Sequence, residues 1–118
     1  MMTPALPPAF IATLHALLGE DGWRTDDSAR NAHAQDNSWR HTLPAGVAFP
    51  RDREQVVALV RACREHRIAL VARGAGTGTT GAAVPIEGSI VLSFARMSRI
   101  LAIQPGDRCA VVEPGVLN

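Results

Sequence analysis

The chain has no tyrosine and no lysine, three phenylalanines, two tryptophans and two cysteines. Aromatics make up only 4% and are not interleaved with basic residues, so the stacking platforms that bind single-stranded nucleic acid are missing. A net charge of +1 gives no field that would draw in nucleic acid or an anionic membrane, and nucleic acid is not an expected partner. The basic residues are all arginine, a bias of composition and not a patch. Cys63 and Cys109 lack CxxC spacing and are expected as reduced thiols filling the core. His15, His33, His41 and His66 show neither HxH nor HExxH spacing, so no metal site is expected and they read as surface or capping residues. Met1 to Pro8 has no basic start and no long apolar run, which argues against a secretory signal or a transmembrane segment. The expectation is a cytoplasmic protein, or one peripheral at an inner membrane. Trp23 and Trp39 are expected to anchor packing.

What is present is glycine, concentrated in one place. Five of the ten glycines fall between Gly74 and Gly88, directly after the apolar strand candidate Ile68-Ala69-Leu70-Val71-Ala72. Ordered glycine loses more conformational entropy than any other residue, so such a cluster needs a reason. Successive amides flanked by small side chains form a concavity suited to a diphosphate. Gly76 to Gly81 has the glycine spacing of a Walker loop, but Ala82 and Ala83 stand where Lys and Ser/Thr belong. Gly76-Thr77-Gly78-Thr79-Thr80-Gly81 matches GxGxxG, yet Pro85 and Gly88 follow where the Rossmann form needs a helix. The next periodic element, Ser89 to Phe94, is rich in strand formers. The unit therefore reads as strand, glycine loop, strand.

At 118 residues, 47% hydrophobic and 19% charged, the chain is one globular domain or a piece of one. Phe10, Ile11, Leu14, Leu17 and Leu18 have helical spacing, closed by Gly19. Asp26-Asp27-Ser28 caps a short helix reaching to Ala34, and Gln35 to Thr42 reads as loop. Within that loop Asp36, Asn37 and Ser38 read as turn residues that satisfy local backbone. Pro44 and Pro50 bracket an extended segment, Gly46 to Phe49. Asp52 with Gln55 forms a variant capping box for a helix whose apolar stripe is Val56, Leu59, Val60 and Cys63. Ile100 to Ile103 and Arg108 to Val112 flank the turn Pro105-Gly106-Asp107.

The runs FPRDREQVVALVRACREHRIALVARGAGTGTTGAAVP, GSIVLSFARMSRIL and VVEPGVLN, with DNSWRHTLP before them, resemble a known family. It is the p-cresol-methylhydroxylase type of FAD-binding domain, of the vanillyl-alcohol oxidase superfamily. The branch most resembled is that of the FAD-linked glycolate and D-lactate dehydrogenases. The resemblance implies an α+β fold, a small sheet flanked by helices, with residues 1–42 as an N-terminal helical extension. Residues 43–118 would be the first part of the FAD-binding domain, truncated, and missing sheet partners would leave apolar edges exposed. It further implies that Gly74, Ala75, Gly76, Thr77 and Gly78 turn their amides toward the FAD diphosphate. Gly81 and Ala82 would lie against the flavin-side half, and Arg73 would add charge. Relatives with covalent flavin carry His where Thr77 stands here, so non-covalent FAD is expected. The implied reaction is hydride transfer from a small D-2-hydroxy acid to FAD, with dioxygen or a quinone left open as electron acceptor. No residue of this chain is implied as catalytic. Two other readings stay open: an inactive binding or interaction module, and an NAD-binding enzyme, which would need a helix starting near Gly81.

Overall fold

Residues 5–118 are described by a computed structural model. The signal-sequence reading of the first eight residues falls partly on residues 1–4, outside the described range. The elements in chain order are α1 (Pro8–Gly22), β1 (Trp23–Arg24), α2 (Asp27–Ala32), β2 (Gly46–Ala48), α3 (Arg53–His66), β3 (Leu70–Arg73), β4 (Ile90–Ser93), β5 (Ile100–Gln104) and β6 (Cys109–Val112), with a 3-10 turn at Pro105–Asp107 between the last two.

Local chemistry sets most of these boundaries. Proline sits in the first turn of α1, where its missing N–H leaves no bond unmade. Gly19, at φ 73°, kinks the helix, and one more turn follows to Gly22, so the glycine bends the helix where closure was expected. Asp26 accepts from the Ala29 amide at 3.0 Å and caps α2, which ends at Ala32, two residues early. Asp52 accepts from the Gln55 amide at 2.8 Å, while the Gln55 side chain accepts from the Arg51 amide at 2.8 Å. This reciprocal pair starts α3, and Arg67 closes it in the left-handed conformation, with the Ile68 amide reaching back to the Cys63 carbonyl at 2.9 Å.

β1 to β4 form one sheet in the order β1-β2-β4-β3. β2 and β3 both run parallel to β4, and β1 runs antiparallel to β2. Alternation along β4 divides the molecule. Ile90 and Leu92 face a core built with Phe10, Leu14, Trp23, Leu59 and Cys63, so α1 and α3 cover one face. Val91 and Val47 face Ala29 of α2, with Phe49, on the other. Residues before position 43 thus supply helix, strand and core to the same sheet as the rest. β5 and β6 pair antiparallel in a separate hairpin. Its apolar side chains are exposed: Ile100 58%, Ile103 66% and Val111 49%.

Two expectations fail on burial. Cys63 is buried as expected, but Cys109 is exposed on the hairpin, its thiol donating to Gln104 Oε1 at 3.0 Å. Trp23 is a core residue, with its ring lying over Gly46, whereas Trp39 is wholly exposed at φ 70°. A strand position and a loop tip give the same residue type opposite surroundings, and composition does not separate them. Among the described residues, no helix is long and apolar enough to cross a membrane.

A candidate diphosphate loop

Parallel strands need a connection long enough to return the chain to the starting edge, normally through a helix. Between β3 and β4 residues 74–89 make that return with bends and turns alone. No helix forms from Ala82 to Gly88, which removes the Rossmann geometry that an NAD reading needs. Among the described residues, none of the backbone amides from Gly74 to Thr80 donates a hydrogen bond within the chain. A run of seven unpaired donors on an exposed loop is poised for an external acceptor.

The loop is braced from the segment after α2. Arg73 lies two residues beyond Val71, on the α2 face of the sheet, and its Nη1 donates to the Gln35 carbonyl at 2.7 Å. Its guanidinium passes so close to Gly76 that a Cβ there would run into it, and Gly76 itself takes φ 72°. Both features favour glycine, the φ by backbone strain and the contact by forcing the Arg73 side chain to move. The Asn37 amide donates to the Gly78 carbonyl at 2.9 Å, and its side-chain Nδ2 donates to the Thr77 carbonyl at 3.2 Å. Gly81, at φ 84°, sits beside Arg40 and Ser38: a Cβ there would lie 3.1 Å from Arg40 Cδ and 3.4 Å from Ser38 Oγ.

Asp36 lies below the loop and is 9% exposed. The Ser38 hydroxyl, then the amides of Ser38, Ala83 and Gly81, favour the charged form and hold its carboxyl below the usual range. The Ser38 amide closes a 2.7 Å bond to Oδ1, while buried Oδ2 meets no donor in hydrogen-bond geometry. Burial pulls the pKa of Arg73 down, with the charge of Asp36 opposing it.

Open clefts flank both ends of the loop. One, of about 490 Å³, is lined by Gly74, Ala75, Ala95, Ile100, Gly115 and Leu117, among others. The other, of about 640 Å³, is lined by Arg40, His41, Gly81, Val84, Pro85 and Glu87, among others. The first depends on Gly115, whose amide donates to the Met97 carbonyl at 2.8 Å and where an added Cβ would collide with the Phe94 carbonyl. Glu113, 7% exposed, fixes that turn by accepting from the Arg99 amide at 2.8 Å and from its guanidinium at 2.7 and 3.0 Å.

Gly74, Ala75, Gly76, Thr77, Gly78, Gly81 and Ala82 therefore share one loop, and Arg73 is the strand residue that leads into it. Arg73 is turned under it, toward Gln35, instead of projecting outward. The contribution of Asn37 was not legible beforehand: its partners lie 40 residues away, and a turn-forming Asn carries no mark of a distant bond.

A family model described as an FAD binding domain matches residues 44–118. The chain belongs to that family. FAD is accordingly the cofactor of this domain. The chain is 41% identical over 114 residues to the D-2-hydroxyglutarate dehydrogenase of Stutzerimonas stutzeri (strain A1501), covering 94% of this chain and 24% of that protein. It is 46% identical over 77 residues to glycolate oxidase subunit GlcD of Escherichia coli (strain K12), covering 65% of this chain and 15% of that one. The chain thus spans a quarter or less of the length of either relative. Among solved structures, an alkyldihydroxyacetonephosphate synthase superposes with TM-score 0.86 at 21% identity over 99% of this chain and 24% of its own, which establishes the fold. A p-cresol methylhydroxylase with substrate bound gives TM-score 0.78 at 28% identity, over 92% of this chain and 22% of its own.

Proposed function

We propose that this FAD-binding domain holds the cofactor by its diphosphate on the amides of Gly74, Ala75, Gly76, Thr77 and Gly78. Gly81 and Ala82 then lie along the flavin-side half, and Arg73 supports the loop from below. The observation that carries this reading is the run of unpaired amides between two clefts: a diphosphate joining two nucleotide halves needs donors at its centre and room on both sides. Hydrogen bonds to a charged acceptor contribute about 1.5–3 kcal/mol each, so even three of these amides would hold the group firmly. Attachment is non-covalent at this loop, since Thr77 offers no imidazole.

In the whole protein we assign FAD-dependent oxidation of a small 2-hydroxy acid, supported by relatives named D-2-hydroxyglutarate dehydrogenase, glycolate oxidase and D-lactate dehydrogenase. The bound flavin supplies hydride acceptance. The residues of this chain bind and orient it, and none of them is placed as an acid or base toward substrate. A cytoplasmic setting is supported by the two free cysteines.

Purified protein should carry flavin absorbance that leaves the polypeptide on acid precipitation. Flavin that stays attached would refute the non-covalent reading, and a colourless protein that fails to take up added FAD would refute the loop assignment. Turnover of D-2-hydroxyglutarate, glycolate or D-lactate with an artificial electron acceptor tests the substrate class. Flavin binding without turnover of any 2-hydroxy acid would exclude that class.

A further inference from the structure

We infer that Asn37 aims the diphosphate-binding amides and is a positioning residue for the cofactor; this deepens the diphosphate reading and rests on it. Asn37 makes two bonds to consecutive carbonyls of the loop: its Nδ2 to Thr77 O at 3.2 Å and its own amide to Gly78 O at 2.9 Å. The peptide unit is planar and, throughout the described chain, trans, so each C=O and the N–H of the following residue point to opposite sides. Drawing Thr77 O toward Asn37 turns the Gly78 N–H away from it. Drawing Gly78 O the same way turns the Thr79 N–H away as well. In an extended chain successive carbonyls alternate direction, and so do successive amides. Two neighbouring carbonyls gathered on one residue break that alternation and leave two neighbouring amides facing the same side, which is the condition for an anion-holding concavity. Neither amide has a partner within the described chain, and the Thr79 N–H thereby extends the Gly74–Gly78 set by one donor.

The residues around Asn37 fit this role. Gly78, without a side chain, runs close over Asp36, where an added Cβ would lie 3.9 Å from Oδ2. On the other side of Asn37, the 2.7 Å bond from Arg73 to Gln35 O ties the start of the loop to the same segment. The segment after α2 thus grips the loop at Arg73, Thr77 and Gly78, and only the Thr77 contact depends on the side chain of Asn37.

The test compares Asn37→Leu, similar in shape but without a donor, with Asn37→His, whose Nδ1–H can take the place of Nδ2–H. FAD, ADP and riboflavin are titrated against each variant, and apoprotein thermal midpoints are recorded. Asn37→Leu is expected to weaken FAD and ADP about tenfold, roughly 1.4 kcal/mol, with riboflavin and the apoprotein midpoint unchanged. Asn37→His should restore most of the loss. Inorganic pyrophosphate followed by NMR supplies a second readout: it should shift the Gly78 and Thr79 amides of wild type at about tenfold lower concentration than in Asn37→Leu. A variant that weakens all three ligands equally, or only in step with a lower apoprotein midpoint, would reduce Asn37 to a structural residue and overturn the inference. Normal FAD affinity in Asn37→Leu beside loss in Gly76→Ala overturns the role of Asn37 alone. Normal affinity in both variants overturns the loop assignment itself.

Discussion

Replacing Gly76 by alanine introduces two separable penalties. The first is backbone strain, because φ 72° lies in the left-handed region, where a Cβ costs roughly 1–2 kcal/mol. The second is steric: the new Cβ would collide with the Arg73 guanidinium. That group is the mobile end of a side chain, so it would swing aside, giving up its 2.7 Å bond to the Gln35 carbonyl. A hydrogen bond of this kind on a partly exposed surface contributes about 1 kcal/mol net. Together the change should cost about 2–3 kcal/mol, a fall of roughly 10 °C in the thermal midpoint of a domain this size. The two parts come apart in a double-mutant cycle. With Arg73→Ala already made, the atoms nearest the new Cβ are gone and the backbone penalty dominates, so Gly76→Ala should then cost about 1–2 kcal/mol. The assay is urea unfolding of the four apoproteins. FAD titration alongside should show a larger loss for Gly76→Ala than for Arg73→Ala, because only the former displaces the donors. Strict additivity in the cycle, or an unchanged midpoint in Gly76→Ala, would refute the proposed contact between loop and guanidinium.

Three further outcomes are expected. The guanidinium and amide of Arg99 hold the Glu113 carboxyl below its ordinary 4.5, so its stabilisation is complete above pH 4.5 and is lost as pH falls from there through the lower folded value; Glu113→Gln should flatten the acid limb of a stability–pH curve, and an unaltered limb would argue against the pair. Burial pushes the Cys63 thiol up to about 11, so a maleimide at pH 8 should label the native protein once, at Cys109, and labelling at Cys63 would contradict its place in the core. Trp39→Gly removes a bulky residue from φ 70° and should raise stability by about 0.5–1 kcal/mol in urea, the relieved strain outweighing the added entropy of glycine; a loss of stability would show that Trp39 packs against something.

How much was legible follows from the reach of each interaction. Asp26 and Asp52 announce their helices because a cap bonds an amide three residues on, and sequence displays that spacing directly. The strand, glycine loop and strand order also read correctly, because Pro85 and Gly88 forbid a helix locally. By contrast, β1 at Trp23–Arg24 is two residues long and exists only because β2 lies beside it. The parallel pairing of β3 with β4 is likewise invisible to periodicity, which gives the faces of a strand but not its neighbour.

The sequence alone determined where α2 and α3 start, that no helix follows the glycine loop, and that the glycines gather at that one loop. Those are consequences of bonds and steric limits acting over a few residues. Tertiary structure alone decided that Arg73 turns inward to Gln35, that Asn37 holds the carbonyls of Thr77 and Gly78, and that Cys109 and Trp39 stand in solvent. Each of these depends on which surfaces the sheet brings together across tens of residues, and a side chain carries no record of the partner it will meet at that distance.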